Sequence, residues 1–245
     1  MDPSVPDDLA AFAKLLERGG DEAVMIVVAH PDDETIGIGG QLPKLGGATI
    51  VHVTDGAPRD LADARAYGFA GWQDYAAARR AELEAAMAEA GVAPDRLIAF
   101  GIPDQQAANA MPALARRLAA LLRERAPRFV LTHPFEGGHP DHDAIAFAVR
   151  AACRMLEAEG LRPPAVIEMA SYHAGPDGPV FQDFAAEPAE PVLEIRLDGE
   201  TRARKARMMV LHATQAPVLA YFAASTERFR LAPPYDFSEM PNGGR

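Results

Sequence analysis

Two hydrophobic periods take turns along this chain. Leu9, Phe12, Leu15 and Leu16 recur at helical spacing over residues 8–18, and Gly19-Gly20 ends that run. Val24-Met25-Ile26-Val27-Val28 follows, a short unbroken apolar stretch that suits a central parallel strand over 24–29. Further strands are predicted at 48–53, 96–100, 129–131 and 166–170. Helices are predicted up to about Leu45, over 75–90, from an Asn109 N-cap to about Ala126, and over 143–159. Gly46-Gly47 and Gly91 stand where helices should stop. Residues 57–74 and 174–191 read as loops, and the alternation over 191–197 reads as an edge or antiparallel strand. A last helix is predicted over 200–213, then an irregular tail packing through Tyr235 and Phe237. Strand–helix alternation from 24 to 170 predicts an α/β fold. It is a Rossmann-like, mostly parallel sheet with helices on both faces. With no clean linker, 1–245 reads as one domain, its core at about 22–215 and its tail at 231–245 irregular.

Composition narrows the function classes. The 245 residues are 49% hydrophobic and 24% charged, as in an ordinary globular protein. A net charge of −11 argues against nucleic-acid or anionic-membrane partners, both of which want a basic face. The densest basic group, Arg202, Arg204, Lys205 and Arg207, reads as the solvated face of a helix. Cys153 is the single cysteine, so neither an internal disulfide nor a thiolate-rich metal site is available; it reads as a small buried thiol. No apolar stretch is long enough to cross a bilayer and the N-terminus lacks a basic, then apolar, leader, so a cytoplasmic location is expected. Gly37, Gly39 and Gly40 fail the dinucleotide fingerprint, because Leu42 holds its last position.

Chemistry concentrates in two strings. Ala29-His30-Pro31-Asp32-Asp33-Glu34 follows the first strand, and Gly137-Gly138-His139-Pro140-Asp141-His142-Asp143 follows the strand at 129–131. Both lie where an open α/β sheet binds ligands, past strand C-termini. A turn at Pro31 can aim His30 and Asp33 at one point while Asp32 looks elsewhere. His142, opening a helix, suits a third ligand to a divalent ion, and two histidines with one carboxylate suit water activation. His139 would lie across the site as an acid or oxyanion partner. Asp141 would hydrogen-bond a histidine and fix its tautomer. Asp143 reads as a helix cap, and His133 is hard to separate from His139.

In these paired strings the chain resembles the PIG-L/LmbE-like metal-dependent deacetylases, which remove acetyl groups from N-acetylglucosamine-type substrates. The resemblance runs from Val24 through the His142 helix, with weaker echoes to about Gln215. It implies that His30, Asp33 and His142 hold Zn2+, for which Fe2+ is the alternative. It makes Asp32 the general base, and His139, in protonated form and supported by Asp141, the group that polarises the carbonyl or protonates the leaving amine, a proton that Asp32 could equally give. It also implies that Arg79 of the R-x-x-E pair Arg79/Glu82, with Asp55 and Asp104 at strand-end loops, binds the substrate. A surface salt bridge or cap is the competing reading for each of these three. Tyr172, His173, His212 and Gln215 resemble later cleft positions, a helical His212 being read as structural. The expected partner is a small sugar or acyl-amino compound, with a homo-oligomer left open. The lack of a basic or apolar segment disfavours a lipid-linked substrate. The rival readings are a non-catalytic sugar or nucleotide binder on the same sheet and a mononuclear non-haem iron enzyme with the same three ligands.

Overall fold

The computed structural model describes residues 6–186 and 189–241. The strands are β1 (Val24–Val28), β2 (Ala48–Pro58), β3 (Leu97–Asp104), β4 (Phe129–Thr132), β5 (Ala165–Met169), β6 (Tyr172–Gly175), β7 (Gly178–Phe181), β8 (Val192–Arg196) and β9 (Thr226–Leu231). The helices are α1 (Asp7–Arg18), α2 (Asp33–Ile38), α3 (Ala62–Ala66), α4 (Trp72–Glu89), α5 (Ala107–Arg125), α6 (Pro140–Ala158), α7 (Gly199–Leu211) and α8 (Ala216–Leu219). A seven-stranded sheet runs in the order β3-β2-β1-β4-β5-β9-β8, and β6-β7 form a separate hairpin. The first five strands are parallel; β9 and β8 join antiparallel at one edge.

The unbroken apolar character of β1 follows from burial on both faces. Val24, Ile26 and Val28 enter one core with Phe12 of α1 and with Leu83 and Met87 of α4. Met25, Val27 and Ala29 enter the other with Leu118 of α5 and Val149 of α6. Phe12 binds the first core across the sheet, its ring 5.4 Å from those of both Phe129 and Phe229. Cys153 is buried in the second core.

Topology sets the position of the site. From β1 the chain moves to β2 and β3 on one side, then crosses back to place β4 on the other side of β1. The order therefore reverses between β1 and β4, where the diverging connections leave a crevice past the strand C-termini. Both motifs begin there.

Several sequence expectations are revised. Residues 57–74 are not one loop: β2 runs on to Pro58, α3 follows, and α4 begins at Trp72. The segment to Leu45 is only the short α2 and a 3-10 turn. Asn109 lies inside α5, not at its cap. The first N–H of that helix, on Ala107, is instead taken by Asp141 Oδ1 at 2.9 Å, a cap from 34 residues away. α6 starts at Pro140, whose ring suits a first helical turn. The segment beginning at 174 contributes β6-β7, and the sheet extends past 215 to β9. Lys205 is not on a solvated face. It is fully buried, its Nζ donating at 2.7 Å to both Glu227 Oε1 and the Ile36 carbonyl, so it ties α7 to β9 and α2. The tail does pack through Tyr235 and Phe237, on Phe135 and Phe147. Among the described residues, no helix is long and apolar enough to cross a membrane.

Candidate metal and catalytic site

The end of β1 turns sharply at Pro31. The His30 N–H donates to Asp33 Oδ2 at 2.7 Å, which folds the motif back and opens α2. This brings His30 Nδ1 within 3.4 Å of Asp33 Oδ2. From β4 and the start of α6, His142 Nε2 arrives 3.3 Å from Asp33 Oδ1. Asp33 thus stands between the two histidines, one from each motif. Burial opposes its charge, but the His142 and His133 imidazoles hold its carboxyl well below the usual range.

The hydrogen bonds sort the histidines. His133 Nε2 accepts the Ala29 N–H at 3.0 Å, so its lone pair is engaged although the ring stacks 3.7 Å from His142. His139 Nδ1 accepts the Asp141 N–H at 3.1 Å, which favours the neutral tautomer protonated at Nε2. Burial, then the His30 and His142 rings, push His139 down to about 4. Both effects favour a neutral His139 with an Nε2–H donor over the protonated form expected from the sequence. His142 Nε2 is buried and has no hydrogen-bond partner. Burial and the neighbouring His133 bring His142 down to about 4 against the opposing pull of Asp33, which favours a neutral ring. Burial also works against charge on His30. Asp104, Asp141 and Asp33 outweigh it and raise His30 well above its ordinary range, and that proton is the one a metal would displace.

An orphaned imidazole nitrogen, a second imidazole and a low-pKa carboxylate fit a divalent ion. Three triplets of donors lie within 4.8 Å of one another among the described residues: His30/His139/His142, Asp33/His133/His142 and His30/Asp104/Asp141. The His30, Asp33 and His142 set expected from the sequence is not itself one of these triplets, although each of its members belongs to at least one of them.

Asp32 is 5% exposed and lies 3.3 Å from Arg79 Nη2. Burial raises its pKa, against the opposing charge of Arg79. Arg79, 4% exposed on α4, donates from Nη1 to the Gly56 carbonyl at 2.6 Å and reaches within 4.0 Å of Asp104. It lines the cavity but is held beneath Asp32. Gly56 permits this approach: its φ is +65° and a Cβ there would meet the guanidinium. Asp104 Oδ1 is 3.1 Å from His30 Nε2. Asp55 turns away to a 2.6 Å ion pair with Arg59, the salt-bridge alternative weighed from the sequence.

Asp141 holds the site together in an unforeseen way. Its carboxylate accepts the N–H groups of Gln105 and Ala107 and lies 3.4 Å from His30 Nε2. Its support of His139 comes through its backbone N–H and not its carboxylate. Asp143 accepts the Gly137 N–H at 3.0 Å, closing the second motif's loop. Glu34 binds His52 at 2.9 Å and Thr35 binds His212 at 3.1 Å in a buried network, so His212 is structural. Glu82 accepts from Thr214. Gln105 and Asp63, not singled out by sequence, line the cavity, as do Tyr172 and Gln215; its volume is about 190 Å³.

The second motif also packs tightly on β6: a Cβ at Gly138 would collide with the Tyr172 carbonyl oxygen. Gly138→Ala is expected to destabilise the protein by about 1–3 kcal/mol through overpacking. A denaturation midpoint equal to wild type would contradict that.

The sequence profile of the PIG-L family, described as GlcNAc-PI de-N-acetylase, matches residues 25–153. A 1D-myo-inositol 2-acetamido-2-deoxy-alpha-D-glucopyranoside deacetylase of Nocardioides sp. (strain ATCC BAA-499 / JS614) is 32% identical over 152 residues, 50% of each chain. The chain thus spans about half the length of that relative. The protein of the same name from Thermobifida fusca (strain YX) is 30% identical over 251 residues, 81% of this chain and 85% of that one. Among solved structures, antimicrobial reagent A40926 pseudoaglycone deacetylase Dbv21 superposes with a TM-score of 0.66 over 89% of this chain and 99% of that chain. At 19% identity that likeness speaks for the fold alone. The profile covers both motifs, and the Thermobifida fusca alignment extends over most of the chain; this protein belongs to the PIG-L family.

Proposed function

We propose that this protein is a metal-dependent N-deacetylase acting on an N-acetylglucosamine-type or related small acyl-amino compound. One observation carries the reading most directly. Asp32, Asp33, His30 and His139 all face one small cavity, with the free His142 Nε2 against Asp33. The deacetylase names of the family relatives agree with it.

In this reading His30, Asp33 and His142 hold the ion. Zinc is the first choice for two imidazoles and a carboxylate, and iron(II) accepts the same donors. Bound there, the ion brings the pKa of water towards about 7 and polarises the amide carbonyl. Asp32, made more basic by burial, takes the proton from the attacking water and returns it to the departing amine nitrogen. The His139 Nε2–H faces the oxygen on which charge develops and stabilises it as a neutral donor. Arg79 holds Asp32 in place. Asp104 fixes the far nitrogen of His30, as a carboxylate behind a metal-binding histidine does.

The test is acetate release from N-acetylglucosamine and its conjugates by metal-loaded protein, with and without chelator. Chelator-sensitive release is expected. No release from any member by protein that retains its metal would overturn the proposal. His142→Ala is expected to bring metal content, read by elemental analysis, to background and abolish turnover. Unchanged metal content in that variant would refute the ligand assignment.

A further inference from the structure

The outer wall of the cavity is apolar and continues to the surface. Tyr172 of β6 lines the cavity, its ring 5.4 Å from that of His142. Phe181 of β7 follows at 6.1 Å. Tyr221, just past α8, stacks on Phe181 at 5.1 Å with the planes only 8° apart, and is 68% exposed. Val218 of α8 both lines the cavity and is 46% exposed. Phe222 backs the row, 5.2 Å from Phe181 and 6.1 Å from Tyr172. Ring follows ring from a candidate metal ligand to solvent. An apolar edge exposed at Val218 and Tyr221 beside a polar cleft marks a contact site, and ring faces favour a planar apolar group.

The charges around the cavity point the same way. Asp32, Asp33, Asp63 and Asp104 are among its described lining residues. Arg79 is the one permanently cationic side chain among them; its two terminal nitrogens are engaged by the Gly56 carbonyl and Asp32, and its unpartnered Nε is buried. Asp63 is exposed at the rim. Away from the ion, a phosphate or carboxylate on the substrate would find no free cation among the described lining residues and would meet the exposed Asp63, which disfavours it.

Resting on the deacetylase reading, we infer that the substrate is an uncharged N-acetylglucosamine-type compound bearing a planar apolar substituent, seated on the Tyr172–Phe181–Tyr221 wall. The wall and the cavity share Tyr172 and Val218, so one ligand spans both.

The experiment compares acetate release from three probes by metal-loaded protein: N-acetylglucosamine, its phenyl glycoside and its 1-phosphate. The phenyl glycoside is expected to show a kcat/KM about tenfold above that of the free sugar, through KM, and the phosphate about tenfold below it. In Tyr221→Ala, and in Val218→Ser as an independent variant, the phenyl preference should collapse towards unity. Leu161→Ala, an exposed apolar position after α6 and away from the wall, should keep it. A phenyl preference retained in both wall variants, or a phosphate turned over as well as the free sugar, overturns the inference while leaving the deacetylase reading intact. So does Tyr221→Ala dissociating an oligomer in sedimentation with the preference unaltered, since a second copy would then cover the wall. No release from any of the three, with metal still bound, overturns the deacetylase reading itself.

Discussion

Asp32→Asn should leave the bound metal in place and lower kcat by about 10²–10⁴-fold, the range for a lost general base. The amide is nearly isosteric and keeps contact with Arg79, 3.3 Å away, so the fold has little reason to change. What it removes is the ability to accept a proton at the attacking water and deliver it to nitrogen. Asp33, one residue on, faces the opposite demand. Its carboxylate is flanked by His30 and His142, and Asp33→Asn should weaken metal binding first. Adjacent residues of one type thus give different signatures, one in kcat at constant metal content and one in metal content itself. Full turnover by Asp32→Asn would remove the proposed mechanism.

The second large effect lies away from the chemistry. Arg230 of β9 is 1% exposed and donates to Glu168 Oε2 at 2.8 Å, to Glu136 Oε1 at 2.7 Å and to the Tyr235 hydroxyl at 2.8 Å. The Phe135 N–H reaches the same hydroxyl, so the loop carrying His139 is fastened to β5, β9 and the tail at one point. Arg230→Met should cost about 3–5 kcal/mol in chemical denaturation, because the buried Glu136 and Glu168 carboxyl groups lose the cation that donates to both. Arg230→Met combined with Glu168→Gln should recover part of the loss; a double variant no better than the single would contradict the account. The cluster also sets a pH dependence. Burial, with Glu136 adding like charge and Arg230 opposing, pushes the Glu168 carboxyl from an ordinary 4.5 up to about 8. The folded protein therefore binds this proton more tightly than the unfolded chain. Its contribution is fully present below about 4.5 and is lost as pH rises through about 8. Glu168→Gln should flatten the fall in stability over that window.

How far the sequence reveals this protein depends on range. β1 and β4 are legible because an apolar run buried on both faces has no other local explanation, and the motifs after them announce chemistry by residue type. The pairing of His30 and Asp33 across Pro31 is a three-residue matter and is equally legible. The cap that Asp141 places on α5 is not, since a local reading sees only Gln106 and Asn109 at that end. The strand β9 escapes because it buries Glu227 and Arg230, whose partners Lys205, Glu136 and Glu168 come from other elements. Hydropathy alone assigns such residues to water, and the same error puts Lys205 on a solvated face. Asp55 and Asp104 are alike in sequence context, and only the presence of Arg59 beside one and His30 beside the other separates them. His133 and His139 are resolved by which ring nitrogen receives a backbone N–H.

The contact from the Ala29 N–H to His133 Nε2 closes a loop of 104 residues, and the candidate metal donors lie close to the two ends of that loop. During synthesis the first half-motif emerges, with β2, β3, α4 and α5, well before β4 exists to sit beside β1. Ion capture is therefore a late event, dependent on a long-range strand pairing whose closure entropy has already been met by the two apolar cores. An ion bound there would act as a latch on a finished sheet. It would slow unfolding without speeding folding, since its donors meet only once the centre of the sheet has been zipped.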